Sequence, residues 1–125
     1  MILDTNALSA VADNEAAAVR LFSQAATIEL PVIVLGEYRF GIVHSRRRSE
    51  YEKWLGELIA ATRVLPVDDE TTGHYARIRA ELKKAGRPIP SNDIWIAALS
   101  RQHRLPLMSR DRHFDDILSF KRIKW

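Results

Sequence analysis

The chain has 125 residues, sets 19 Lys+Arg against 16 Asp+Glu for a formal charge of +3, and is 46% hydrophobic. That length predicts one domain over residues 1–125 with a core that needs no staple. The absence of cysteine excludes a disulfide scaffold, a thiolate-bound zinc and a cysteine nucleophile. No apolar run nears the roughly 20 residues of a membrane span and no cleavable leader is legible, so the expected setting is the cytoplasm, with no membrane partner. The small positive excess suits a polyanion such as nucleic acid but decides little.

Ile2 and Leu3 stand directly before Asp4-Thr5-Asn6, which predicts a short buried strand ending in a turn. Ala18, Leu21, Phe22 and Ala25 have helical spacing, with Asn14 as the expected cap. Ile28 to Leu30 suit a second strand, and Pro31 leads into a helix over about Val32 to His44. Tyr51, Trp54, Leu55, Leu58 and Ile59 then mark an amphipathic helix that opens on Arg46-Arg47-Arg48.

Val64, Leu65 and Val67 read as a third strand, and Asp68 as the cap of a helix whose inner face is Thr71, Tyr75, Ile78 and Leu82. Gly86 and Pro88 end it. A further helix runs from about Asn92 to His103 with Ser91 as its expected cap. Leu105 to Met108 suit a fourth strand and Lys121 to Trp125 a fifth. Short apolar strands alternating with helices predict an α/β fold, a central parallel sheet of about four or five short strands flanked by helices.

Ligands of open parallel sheets sit beyond the carboxyl ends of the strands, which directs attention to Asp4 and Asp111, each just after a predicted strand. Glu37 shares a helical face with Ile33, Phe40, Gly41 and His44, a face expected to point into the core. A glutamate there needs a compensating charge, from a metal cluster or from an arginine such as Arg39. Asp93 lies in the first turn of its helix, where the dipole and free N–H groups favour an anion.

Each acid singly is explained as well by a cap, a turn or an ion pair. Converging together, Asp4, Glu37, Asp93 and Asp111 would repel one another unless a cation lay among them. Oxygen ligation without cysteine favours Mg²⁺ or Mn²⁺, ions suited to phosphodiester hydrolysis. His44, His74, His103 and His113 show no metal-ligand spacing and are expected at the surface or at helix ends. Trp54 and Trp95 are expected in the core or at an interface, while Trp125 fits either packing or base stacking. The chain has no G-x-G-x-x-G, Walker A, G-x-S-x-G or H-E-x-x-H motif.

These neighbourhoods together carry a resemblance. Ile2-Leu3-Asp4-Thr5-Asn6, Val34-Leu35-Gly36-Glu37, Ser91-Asn92-Asp93-Ile94-Trp95-Ile96-Ala97-Ala98 and Ser109-Arg110-Asp111-Arg112-His113-Phe114 make the chain resemble, over nearly its whole length, the PIN-domain ribonucleases and above all the VapC-type toxins of toxin–antitoxin pairs. The resemblance implies a metal-dependent endoribonuclease that hydrolyses RNA through a metal-activated water. Its acidic site would be Asp4, Glu37, Asp93 and Asp111, with Asp4 and Asp93 as direct Mg²⁺ or Mn²⁺ ligands and Thr5, Asn6 and Ser109 in support. Asp115 and Asp116 could supplement the cluster, and Arg39, Arg46 to Arg48, Arg110 and Arg112 could form a cationic rim for RNA. The implied partners are RNA, a cognate antitoxin and a second copy of the chain in a homodimer.

Two other readings stay open at this stage. Haloacid dehalogenase-type phosphomonoester hydrolases also begin with a strand ending in aspartate, but they carry a second aspartate where this chain has Asn6. A PIN-like module that binds RNA without cutting it is the other.

Overall fold

Parallel strands buried on both faces need apolar residues at every position, and the two strands at the centre of the sheet, β1 (Ile2–Leu3) and β4 (Leu107–Met108), have no solvent-exposed residue. The computed structural model describes residues 1–118 and 120–125. Among them lie β2 (Glu29–Pro31), β3 (Arg63–Leu65) and β5 (Arg122–Ile123), which complete a sheet of order β3-β2-β1-β4-β5. All of its pairings are parallel, with Ile2 opposite Glu29 on one side and Leu107 on the other.

The helices are α1 (Thr5–Ala12), α2 (Ala16–Gln24), α3 (Val32–Ile42), α4 (Arg48–Ala61), α5 (Asp69–Lys84) and α6 (Ser91–His103), with a 3₁₀ turn over Arg112–Asp116. The chain runs outward from β1 through β2 to β3, then crosses back to place β4 on the other flank of β1. The strand order therefore reverses between β1 and β4. In an open parallel sheet the crevice beyond the carboxyl ends at such a reversal is where ligands bind. Asp4 follows β1 there and Ser109 follows β4.

Several local expectations are corrected. β1 does not end in a turn: Asp4 caps α1 directly by accepting the Thr5 N–H at 2.7 Å, and Ala7, Leu8, Ala10 and Val11 bury that helix. Asn14 does not cap α2. It takes a left-handed conformation (φ 57°) between the helices, and Glu15 precedes α2 without a side-chain cap. Ser91 likewise lies inside the first turn of α6, after Pro90.

Other expectations stand. Asp68 and Thr71 form a reciprocal capping box on α5, and Gly86 leaves that helix at φ 66°. Trp95 of α6 stacks on Tyr75 of α5 with ring centroids 4.0 Å apart, and Trp54 packs against Tyr38. The Arg46 to Arg48 run is exposed at the start of α4, where Arg47 pairs with Glu50 at 3.0 Å.

The face of α3 that enters the core is Val34, Leu35, Tyr38 and Ile42. The Glu37 face expected to be internal instead opens to solvent, with Phe40 80% exposed and Gly41 and His44 exposed beside it. Both faces of this helix carry apolar residues, so periodicity alone did not separate them.

Candidate active site

Asp4 is only 5% exposed and takes donors on both carboxylate oxygens. Oδ1 accepts from the Thr5 N–H, while Oδ2 accepts from Asn6 Nδ2 at 2.7 Å and from the Ser109 hydroxyl at 2.5 Å. The fully buried Ser109 in turn accepts from the Asp111 N–H at 2.9 Å, and Asn6 Oδ1 accepts from the Arg110 N–H at 3.1 Å. The segments that follow β1 and β4 are thus stitched together by Asn6 and Ser109.

Three further acids come to this end of the sheet. Glu37 arrives on α3, and its Oε1 accepts the Thr5 hydroxyl at 2.8 Å. Asp93 arrives in the first turn of α6. Asp111 caps the 3₁₀ turn by accepting the His113 N–H at 2.9 Å. An open cleft beside Glu37 is lined by Thr5, Gly36, Phe40 and Asn92.

The charges feel one another. Burial pushes the Asp4 carboxyl above the usual carboxylate range, and the charges of Asp93 and Glu37 push it further, against the opposing hydrogen bonds from Ser109 and Thr5. Burial also raises Asp93, with Asp111 and Glu37 adding to the rise and the hydrogen bond from His113 opposing it. His113 is raised chiefly by that hydrogen bond to Asp93, and Asp111 adds to the effect. All four predicted acids are therefore linked electrostatically through Asp93.

A cation among these carboxylates would offset the burial and mutual repulsion that raise Asp4 and Asp93. The donor set suits a hard divalent ion: oxygen atoms predominate, and single ligand atoms of Asp93, Asp111 and His113 lie within 4.8 Å of one another. Asp4 and Glu37 are not part of that close trio but are coupled to Asp93 by charge.

The family model of the PIN domain matches residues 1–118. The chain belongs to the PIN-domain family. It is 34% identical over 121 residues to VapC ribonuclease Y4jK of Sinorhizobium fredii, covering 89% of this chain and 86% of that one. It is also 34% identical over 85 residues to ribonuclease VapC5 of Mycobacterium tuberculosis, covering 66% of this chain, and spans 63% of VapC5's length. The backbone superposes on a chain of the DNA-bound VapBC from Salmonella typhimurium with a TM-score of 0.86 at 25% identity, covering 99% of this chain and 96% of that one. Within the PIN-domain family, the chain groups with the VapC type.

Some of the expected residues do not reach the PIN site. Asp115 is held by Arg122 through two bonds of 2.7 and 2.6 Å, and Asp116 pairs with Arg87 at 2.7 Å, though its charge still adds to the rise of His113. Arg39 pairs with Glu52 rather than with Glu37. Arg110 forms no open rim: its guanidinium lies 4.5 Å over the Trp125 ring and pairs with Glu15, which also accepts the Trp125 N–H at 2.9 Å.

Sequence reasoning passed over His113. Its Nδ1 lies 3.1 Å from Asp93 Oδ2 and 3.2 Å from Asp111 Oδ1. The available signal was the Asp-x-His spacing of Asp111 and His113, which means little until a tight turn is known to follow β4.

Proposed function

We propose that this PIN domain is a divalent-metal-dependent endoribonuclease acting as the toxin of a toxin–antitoxin pair. The observation that carries the reading is the convergence of Asp4, Glu37, Asp93 and Asp111 at the sheet's strand-order reversal, linked by mutual charge repulsion.

Asp4, Asp93 and Asp111 are the acids that would hold Mg²⁺ or Mn²⁺ here, with Asp4 and Asp93 as direct ligands. Such an ion, when bound, lowers the pKa of water and neutralises charge developing on a phosphate. The chain's own groups do the positioning. Ser109 and Asn6 lock the Asp4 carboxylate in one orientation, sparing reorganisation during the reaction. Thr5 fixes one oxygen of Glu37, leaving the other to orient the attacking water at the open cleft. Phe40 presents an exposed ring beside that cleft, where an unstacked RNA base can lie.

The toxin role rests on relatives named VapC ribonucleases and on fold likeness to VapBC, whose second component is the model for a partner that silences this site. An arginine inserted by such an antitoxin among the carboxylates would replace the cation's charge. Two copies of the chain form the working unit, and the cytoplasm is its setting. Among the described residues no helix is long and apolar enough to cross a membrane. The phosphomonoesterase alternative has no support in the geometry, since Asn6 spends its amide on Asp4 and Ser109 instead of offering a second carboxylate.

The test is cleavage of total cellular RNA with Mn²⁺ or Mg²⁺ by the wild-type chain, Asp4→Asn and Asp93→Asn. Internal cleavage that needs the ion, slowed roughly 100-fold or more in both folded variants, is the expected result. Cleavage that persists under chelation, or in both variants, refutes the reading.

A further inference from the structure

His113 stands apart from the acids so far given roles. Its ring is half exposed, with side-chain exposure of 50%, yet Nδ1 is turned inward onto two carboxylates rather than out to water. The distances are 3.1 Å to Asp93 Oδ2 and 3.2 Å to Asp111 Oδ1, and the three atoms form one group within 4.8 Å. An octahedral ion with ligands at about 2.1 Å places neighbouring ligand atoms about 3.0 Å apart. The imidazole nitrogen already stands at about that spacing from each of the two carboxylate oxygens.

The backbone holds them there. Asp111 accepts the His113 N–H at 2.9 Å, which closes the 3₁₀ turn and brings residues two apart onto one side. Asp93 comes from the rigid first turn of α6. Nδ1 faces both carboxylates at once. To hold an ion, Nδ1 would offer its lone pair with the ring's proton on Nε2. The exposed side of the ring leaves room for water ligands.

We propose that His113 Nδ1 and Asp111 join Asp93 as direct ligands, adding a nitrogen to the oxygen donors already assigned to this PIN site, so that it takes Mn²⁺ in preference to Mg²⁺. The assignment rests on the nuclease reading for the presence of an ion and goes beyond it in naming the nitrogen donor. The preference follows from ligand chemistry: Mg²⁺ is bound through oxygen, whereas an imidazole nitrogen favours transition ions.

The full chain loaded with Mn²⁺ should show histidine-type ¹⁴N coupling in pulsed electron paramagnetic resonance, a measurement that needs no variant. In His113→Gln that coupling should vanish. Calorimetry should give a loss of Mn²⁺ affinity of about 10-fold or more, with Mg²⁺ affinity changed by no more than about threefold. No ¹⁴N coupling in the wild type, no Mn²⁺ binding, or an equal loss for both ions overturns the proposal. Because these readouts do not involve RNA, nitrogen-coupled Mn²⁺ in a chain that leaves RNA intact would remove the nuclease reading and keep the ligand assignment.

Discussion

Replacing Ser109 with alanine removes the donor that reaches Asp4 Oδ2 at 2.5 Å and the acceptor of the Asp111 N–H, in a place with no solvent to substitute for either. A hydrogen bond to a buried charged group contributes about 1.5–3 kcal/mol, and the orphaned Asp111 N–H favours the upper part of that range. For a chain of this length that is a fall in Tm of roughly 6–12 °C. The deficit depends on pH with a definite sign. Ser109 opposes the rise that burial imposes on the Asp4 carboxyl, so its loss lets that carboxyl rise further. The native state of the variant then holds its proton to higher pH than wild type, and stability falls as pH rises wherever the native state binds more protons than the unfolded one. In acid, where Asp4 is protonated in both proteins, only a neutral hydrogen bond of about 1 kcal/mol is lost. Melting the two proteins in parallel from acid to neutral pH, with chelator present, measures this gap. A gap that is constant with pH, or that widens in acid, refutes the coupling of Ser109 to an ionised Asp4.

Tyr38→Phe should leave Tm unchanged or raise it by a few degrees in scanning fluorimetry, since the Tyr38 hydroxyl is buried without a hydrogen-bond partner among the described residues and its removal relieves about 1 kcal/mol or more of desolvation. A clear fall in Tm would show a partner for that hydroxyl. Mn²⁺ at about 100 times its Kd should stabilise the chain by about 2.7 kcal/mol, read as a rise in Tm. That rise should shrink as pH falls through the raised values of Asp4 and Asp93, because protonated carboxylates cannot accept the ion. An ion effect independent of pH would place binding elsewhere.

The inner strands β1 and β4 were legible because they are apolar at every position, and Asp4 and Asp111 because polar residues shortly after such strands are conspicuous. Ile2, Leu3, Leu107 and Met108 fall where the pattern puts them, with Asp4 and Ser109 at their ends. α1 was not legible, since Asp4-Thr5-Asn6 is equally good turn chemistry and helix-capping chemistry, and the alanines behind it weigh little in a periodicity. The outward aspect of Glu37 was hidden because Ile33 and Phe40 share its face while a second apolar face does the packing. The placement of His113 beside Asp93 and the ion pairs of Asp115 and Asp116 depend on a five-residue 3₁₀ segment, too short to leave a periodic trace.

The bond from Ser109 to Asp4 joins positions 105 residues apart, across the central pair of strands. Translation delivers Asp4 first and Ser109 late, so a nascent chain on the ribosome lacks Asp93, Ser109 and Asp111 until most of it has emerged. On the nuclease reading proposed above, a chain stopped before β4 lacks Ser109 and Asp111 and cannot assemble the acid cluster.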